Sequence, residues 1–397
     1  MTDRIKTFLK NETVLTISFL LAILSALAVR PDSKYAEYID FRTLALLLSL
    51  MLVVAGAAKL GIFRWIAGRL VNTASDMRQL ALILVMLCFV FSMFITNDVS
   101  LITFVPLAIE VLTMEHMEQY MIKVIVLQTV AANLGSMLTP IGNPQNLYLY
   151  GLSGMGVKDF CLLMLPYTIT ALVMLAVSVF IFIGKDRLTA ETIHSANGGC
   201  EDTVVTDRAV LQDTIPSAAG IGKSVALMRI RYVMYALLFV LCLLTVARVI
   251  PYQALLVIIL AAVAAADRDV LGRADYSLLL TFVFLFVFIG NMGRIEAVSS
   301  FLSDIIGGHE IITGILASQI MSNVPAAILL SGFGSNIRGL IVGVNLGGLG
   351  TLIASMASLI SYRFYAGCKA GSVSRYMVFF TLVNVIFLAV LYCVSLL

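Results

Sequence analysis

Charge is what this sequence has least of. Asp, Glu, Lys and Arg make up 12% of its 397 residues, about half the ~25% usual in a water-soluble domain. A chain so short of charge cannot cover the surface of a soluble fold. Its net charge of +3 excludes a nucleic-acid partner, which needs a strongly basic face. Cysteine is sparse as well. Cys88, Cys161, Cys200, Cys242, Cys368 and Cys393 form no CxxC pair, so neither a zinc site nor a disulfide framework is expected. The three histidines, His116, His194 and His309, fall in loops or hairpin bases, and there is no HExxH or GxSxG motif. Nothing here supplies an enzyme's machinery or a cofactor site. What the chain does have is 60% apolar residues, in runs long enough to cross a bilayer. The composition therefore predicts an all-α polytopic membrane protein.

Apolar runs bounded by charge predict about nine crossings: 14–29, 43–60, 120–149, 159–184, 231–249, 251–266, 276–292, 337–362 and 374–396. With nine, 19 of the 26 Lys and Arg residues fall on the N-terminal side and 7 on the other. The positive-inside rule then places the N-terminus in the cytoplasm and the C-terminus outside, in a cytoplasmic (inner) membrane. Ala26-Leu27-Ala28 has the small-residue spacing of a signal-peptide cleavage site. The first run is read as a crossing, and cleavage would leave the later orientation unchanged.

Two apolar stretches carry polar residues at their centres. Residues 79–113 break at Thr96-Asn97-Asp98, and 309–335 break at Ser322-Asn323-Val324-Pro325. Each half is expected to be too short to cross, so both stretches read as re-entrant hairpins. Such backbone is tolerated at membrane depth only inside protein or beside a watery cavity. Each hairpin follows a span and an amphipathic segment (Ile62, Trp65, Ile66, Leu70; Ile295, Val298, Leu302, Ile305). Each precedes a span with a matching motif, Asn133-Leu134-Gly135 or Asn345-Leu346-Gly347, and a second break about nine residues on. Those breaks are Gly142-Asn143-Pro144-Gln145-Asn146 and Ala354-Ser355-Met356-Ala357-Ser358. The halves are therefore repeats: 1–184, a polar cytoplasmic linker at 185–230, and 231–397. The second crossing matches the seventh, so the repeat is inverted. Paired broken helices in an inverted repeat mark secondary transporters.

The breaks are where chemistry is expected. Half-helix C-termini offer carbonyls to a cation, and half-helix N-termini offer N–H groups to an anion. Thr96, Asn97, Ser322 and Asn323 can donate or accept, and as a minimum they should cap the half-helices. Gly142 permits unusual backbone, and Pro144 forces the break. Asn133 and Asn345 suit a ligand and an interhelical hydrogen bond equally. Asp98 is the only acid placed near mid-membrane, which implies a partner cation or proton. No Lys or Arg shares that depth. An anion must therefore be held by amides, hydroxyls and a bound cation.

These motifs together resemble the ion transporter superfamily: Thr96-Asn97-Asp98-Val99 with Pro106, Asn133-Leu134-Gly135 through Asn146, Ser322-Asn323-Val324-Pro325, and Asn345 through Leu359. Its members are arsenite permeases, NhaD-type sodium/proton antiporters, citrate carriers and divalent-anion/sodium symporters. The resemblance implies a two-hairpin carrier with an elevator-like transport domain, homodimeric in the symporter branch. It implies sodium-type sites at Thr96, Asn97 and Gly142 and at Ser322, Asn323 and Ala354. Substrate would lie near Asn97, Asn143, Asn323 and Ser355. The symporters resemble Ser-Asn-Thr at both tips and Thr-Pro-Pro-Asn at both breaks. Here the first tip has Asp98 and the second break has no proline, which is more similar to the arsenite permease–NhaD branch. The expected function is transport of a small anion or oxyanion coupled to Na+ or H+, with Asp98 as a coupling residue. A Na+/H+ antiporter and an ion channel are the alternatives. The expected partners are the solute and the lipid bilayer.

Overall fold

The computed structural model describes residues 12–188, 221–368 and 372–396. Most of the linker expected at 185–230 lies outside them. Among the described residues the chain is helical throughout, with 18 α-helices and no strand. The elements before the first hairpin are α1 (Thr13–Ala28), α2 (Tyr35–Tyr38), α3 (Phe41–Lys59) and α4 (Ile62–Val71). The hairpin is α5 (Met77–Ile95) and α6 (Asn97–Met114). The broken span is α7 (Met121–Ser136) and α8 (Pro144–Ser153), followed by α9 (Val157–Phe182). Two helices then intervene, α10 (Ile221–Val246) and α11 (Tyr252–Ala266). The second set is α12 (Tyr276–Gly293), α13 (Glu296–Ile306), α14 (Glu310–Met321), α15 (Asn323–Ser331), α16 (Ile337–Leu346), α17 (Met356–Gly367) and α18 (Val373–Val394). It matches α3 to α9 one for one.

The helices that open the two matched sets begin alike. Asp40 caps α3 by accepting from the Thr43 N–H, and Asp275 caps α12 by accepting from the Leu278 N–H. Such a cap satisfies one of the orphan donors of a first turn. Packing is reciprocal as well. Within each half the first hairpin arm packs on the first half of the broken span, α5 on α7 and α14 on α16. Across the halves, α6 packs on α17 while α15 packs on α8. Contacts that repeat with the halves exchanged are what a two-fold relation requires.

Among the described residues, seven helices are long and apolar enough to cross a membrane: α3, α5, α6, α9, the Met228–Val246 part of α10, α12 and α18. Four shorter apolar helices join them: α1, α11, α14 and α16. The protein is a multi-pass membrane protein. α9 and α18 each turn an apolar row outward, such as Val173, Val177 and Ile181, or Val378, Leu382 and Val385. Apolar side chains on that surface suit hydrocarbon rather than water. α7 is the centre of the protein, buried from Val124 to Ser136.

Two expectations about local structure need correction. The arms of the first hairpin are not short. α5 has 19 residues and α6 has 18, making them about 27–29 Å long at ~1.5 Å per residue. Only α14 (12 residues) and α15 (9 residues) are short. The extra length comes from continuous apolar sequence up to Ile95 with no breaker. The second correction concerns the broken spans, which open earlier than nine residues past the Asn-Leu-Gly motif. The helix ends at Ser136 or Leu346, and the connectors run over 137–143 and 347–355. The amphipathic stripes are only partly turned outward. In α4 the packed residues are Phe63, Ala67 and Val71, while Trp65 and Leu70 are exposed.

Candidate functional site

Both hairpins are real reversals. The Ser100 hydroxyl donates to the Cys88 carbonyl at 3.2 Å, and the Gln128 amide bridges the Leu84 and Phe104 carbonyls at 3.3 and 3.2 Å. Those pairs centre the turn just before Thr96. The backbone at the tips is nearly identical: Thr96 has φ 72° and ψ 154°, and Ser322 has φ 73° and ψ 154°. This region is essentially glycine territory and costs a residue with a side chain about 1–3 kcal/mol. The same strain at two symmetric tips marks both as functional candidates.

The caps expected of Thr96 and Ser322 are absent. Thr96, Ser322, Asn143 and Ser355 all precede helices, and none makes a side-chain capping bond. Strained φ at the tips turns the Thr96 and Ser322 side chains away from the N–H groups of the next turn. The Asn143 and Ser355 side chains are used elsewhere.

That use is a bond network between the halves. Asn133 Oδ1 accepts from Asn97 Nδ2 at 3.1 Å and from the Ser355 hydroxyl at 2.9 Å. Asn133 Nδ2 reaches Ser358 Oγ and the Gly348 carbonyl, each at 3.4 Å. Its counterpart Asn345 donates to Asn146 Oδ1 at 2.7 Å and to the Ile341 carbonyl at 2.7 Å. Asn146 and Ser358 hold equivalent positions, three residues past Asn143 and Ser355. Each Asn-Leu-Gly asparagine therefore reaches into the other half's break. Asn143 Nδ2 donates to Ser136 Oγ at 2.7 Å, and the Ser136 hydroxyl donates to the Asn133 carbonyl at 2.9 Å. The Asn323 N–H donates to the Ala354 carbonyl at 3.0 Å. Asn323 Nδ2 lies against Gly348, 3.1 Å from where a β-carbon would stand.

The structure thus brings together Asn97, Asn133, Asn143, Asn323, Asn345 and Ser355, all at most 5% exposed. Ser322 and Ala354 are buried beside them. Gly142 is buried in the first connector, where its N–H donates to Thr139 Oγ1 at 3.1 Å. Thr96 and Asp98 are partly exposed. The Asp98 N–H is taken by Asn97 Oδ1 at 3.0 Å, while Asp98 Oδ1 is buried without a partner.

Several residues escaped the sequence reading. Thr139 and Thr351 each stand four positions before Asn143 or Ser355. Each donates its hydroxyl to a carbonyl three residues before a tip, that of Met93 (2.5 Å) or Gln319 (3.2 Å). Comparing the halves position by position exposes that pair. Gln319 has no such signal, since Met93 is its counterpart. Its amide nitrogen donates to the Ile315, Gly347 and Leu349 carbonyls at 3.2, 3.0 and 2.9 Å, and its oxygen accepts the Thr351 N–H at 2.9 Å. One side chain therefore holds the second connector. Gln319→Leu leaves those groups unpaired, at about 1–3 kcal/mol for each buried one. The expected result is a melting temperature lower by several degrees, read by differential scanning fluorimetry, with Met93→Leu nearly neutral.

A pair of strained hairpin tips bonded to a pair of broken helices, in two halves whose helices match one for one, is the architecture of a secondary transporter. The comparisons agree. The profile of the CitMHS family, described as "Citrate transporter", matches residues 8–337, and the chain belongs to that family. It is a transporter and not an enzyme. An uncharacterized transporter of Methanocaldococcus jannaschii is 30% identical over 354 residues, covering 89% of this chain and 88% of that protein. The inner membrane protein YbiR of Escherichia coli is 31% identical over 330 residues, 82% of this chain and 80% of its own length. The P protein of Homo sapiens is 33% identical over 136 residues, 32% of this chain and 16% of that protein.

Proposed function

We propose that the protein carries a small anion or oxyanion across the cytoplasmic membrane, driven by a Na+ or H+ gradient. A carboxylate such as citrate is the first candidate, because the family profile bears that name. The N-terminus is cytoplasmic in this reading, the C-terminus is outside, and the carrier works as a homodimer. The two hairpins and two broken spans move together as an elevator-like unit. The observation that carries the reading is the reciprocal bonding of Asn133 to Ser358 and of Asn345 to Asn146. It gathers four half-helix N-termini, those of α6, α8, α15 and α17, around uncharged amides. Those termini supply partial positive charge to an anion, with Asn97, Asn143, Asn323 and Ser355 as its hydrogen-bonding groups. Thr96, Asn97, Asp98 and Gly142 serve the coupling cation at the first tip. Ser322, Asn323 and Ala354 are the second set.

The test is uptake by proteoliposomes of labelled citrate, succinate, sulfate or arsenite under an imposed Na+ or proton gradient. Gradient-dependent accumulation of one of them is the expected result. A second reading, a Na+/H+ antiporter, is favoured by the unpaired Asp98 oxygen. That reading requires a sodium-driven pH change inside the vesicles with no anion present.

A further inference from the structure

The helices that link a span to each hairpin, α4 and α13, are alike in shape and opposite in charge. Each leaves one large aromatic ring outside, Trp65 on α4 and Phe301 on α13, both 63% exposed. Beside Trp65 stand Arg64 and Arg69, both exposed, and α4 includes no acid. α13 has Glu296 and Asp304, also exposed, and no base.

Neighbouring charges do not cancel this difference. Lys59, at the end of α3, is paired with Asp267 at 2.6 Å and with Asp269 at 3.1 Å. Arg294, just past α12, is paired in the same way with Asp32 at 2.9 Å. Asp76, the first acid after α4, caps α5 by accepting the Gln79 N–H at 2.8 Å. Among the described residues neither Arg64 nor Arg69 has an acidic partner. Arg69 lies instead over the Trp65 ring, 5.1 Å from its centre. A guanidinium held against a ring keeps its N–H groups for an oxyanion.

A tryptophan flanked by arginines without acidic partners, on a short helix joining two membrane helices, suits the headgroup layer. In the orientation proposed above, α4 lies on the cytoplasmic side, where the leaflet is negative, and α13 lies on the outer side. We propose that the Arg64–Trp65–Arg69 face of α4 binds the headgroups of anionic phospholipids in that leaflet. Complementary charge identifies the occupant: the arginines take the phosphates, and the indole sits at headgroup level. Only the choice of leaflet rests on the proposed topology, and the test does not use it.

Trp65 is the one tryptophan of the chain, so its fluorescence reports on this face alone. The full-length protein is reconstituted in vesicles of equal parts phosphatidylcholine and phosphatidylglycerol, one or the other brominated near the top of its chains. Bromine quenches an indole only from neighbouring lipids. Brominated phosphatidylglycerol should quench Trp65 more strongly. The expected local enrichment is about fivefold, what one arginine near an anionic surface supplies. It should weaken in high salt and disappear in the double variant Arg64→Gln/Arg69→Gln. It should persist in Glu296→Gln/Asp304→Asn. The proposal is overturned if both lipids quench wild type equally, or if the arginine variant keeps the preference. It is also overturned if the α13 variant loses the preference as fully, or if neither lipid quenches Trp65, as when a soluble partner and not the bilayer covers α4.

Discussion

Asp98→Asn should lose gradient-driven transport by about two orders of magnitude, the scale on which positioned proton-transferring groups act. The melting temperature should stay close to that of wild type. Asp98 sits in the first turn of α6, two residues past the strained Thr96. One of its oxygens is buried without a hydrogen-bond partner. A carboxylate there needs a cation or a proton, and a species that comes and goes with the transport cycle is what coupling requires. Asparagine keeps the shape and removes the exchangeable charge. Its counterpart across the two-fold is Val324, so no second carboxylate can stand in. Uptake measured at several external pH values checks both parts. Wild-type transport should change with pH, and the residual rate in Asp98→Asn should not. Full activity in that variant would remove Asp98 from the mechanism.

Gly142→Ala should do the opposite, abolishing the folded protein rather than its coupling. A β-carbon on Gly142 would stand 2.0 Å from the Ser136 carbonyl oxygen and 2.8 Å from the Ser136 carbonyl carbon and Cα. Both partners are backbone, so no side chain can swing aside. Ser136 also ends α7, and its own carbonyl accepts from the Asn146 amide at 3.3 Å. Pushing it away would loosen Asn146, and through Asn146 the bond to Asn345. Overpacking alone costs about 1–3 kcal/mol and occasionally more. With the amide network disturbed, the expected loss exceeds about 4 kcal/mol, at the extreme of single substitutions. The counterpart, Ala354, already carries a methyl group, so Ala354→Gly should be mild. Yield and melting temperature of the two variants, measured side by side, check the contrast.

Much of this was legible in the sequence because it is written in local pattern. The tips at Thr96 and Ser322, the breaks before Pro144 and Met356, and the pairing of halves all follow from polar residues interrupting apolar runs. Helix length was less legible. Nothing between Met77 and Ile95 signals where a re-entrant arm should stop, because hydropathy measures composition and not depth. The bonds across the halves were not legible at all. Asn133 and Ser355 are 222 positions apart, and no spacing rule joins them. The sequence left Asn133 and Asn345 undecided between ligand and interhelical bond. In the fold both bond across the halves, while Asn345 alone keeps an unpaired oxygen. Capping was the wrong inference for the polar tip residues. Serine and threonine reach the next turn's N–H groups only from ordinary cap dihedrals, and positive φ at Thr96 and Ser322 forbids that.

The central claim is that the first tip and the second break meet at one point, bridged by Asn133. Cysteines placed at Asn97 and Ser355 in a cysteine-free background test it in native membranes. Both side chains bond to the same atom, so mercuric ion or a very short bifunctional reagent should join them. Mass spectrometry should then find a peptide linking positions 97 and 355 within one chain. A control pair, Asn97→Cys with Val378→Cys on the outward face of α18, should remain unlinked. Absence of the first link, or equal linkage in the control, would contradict the account.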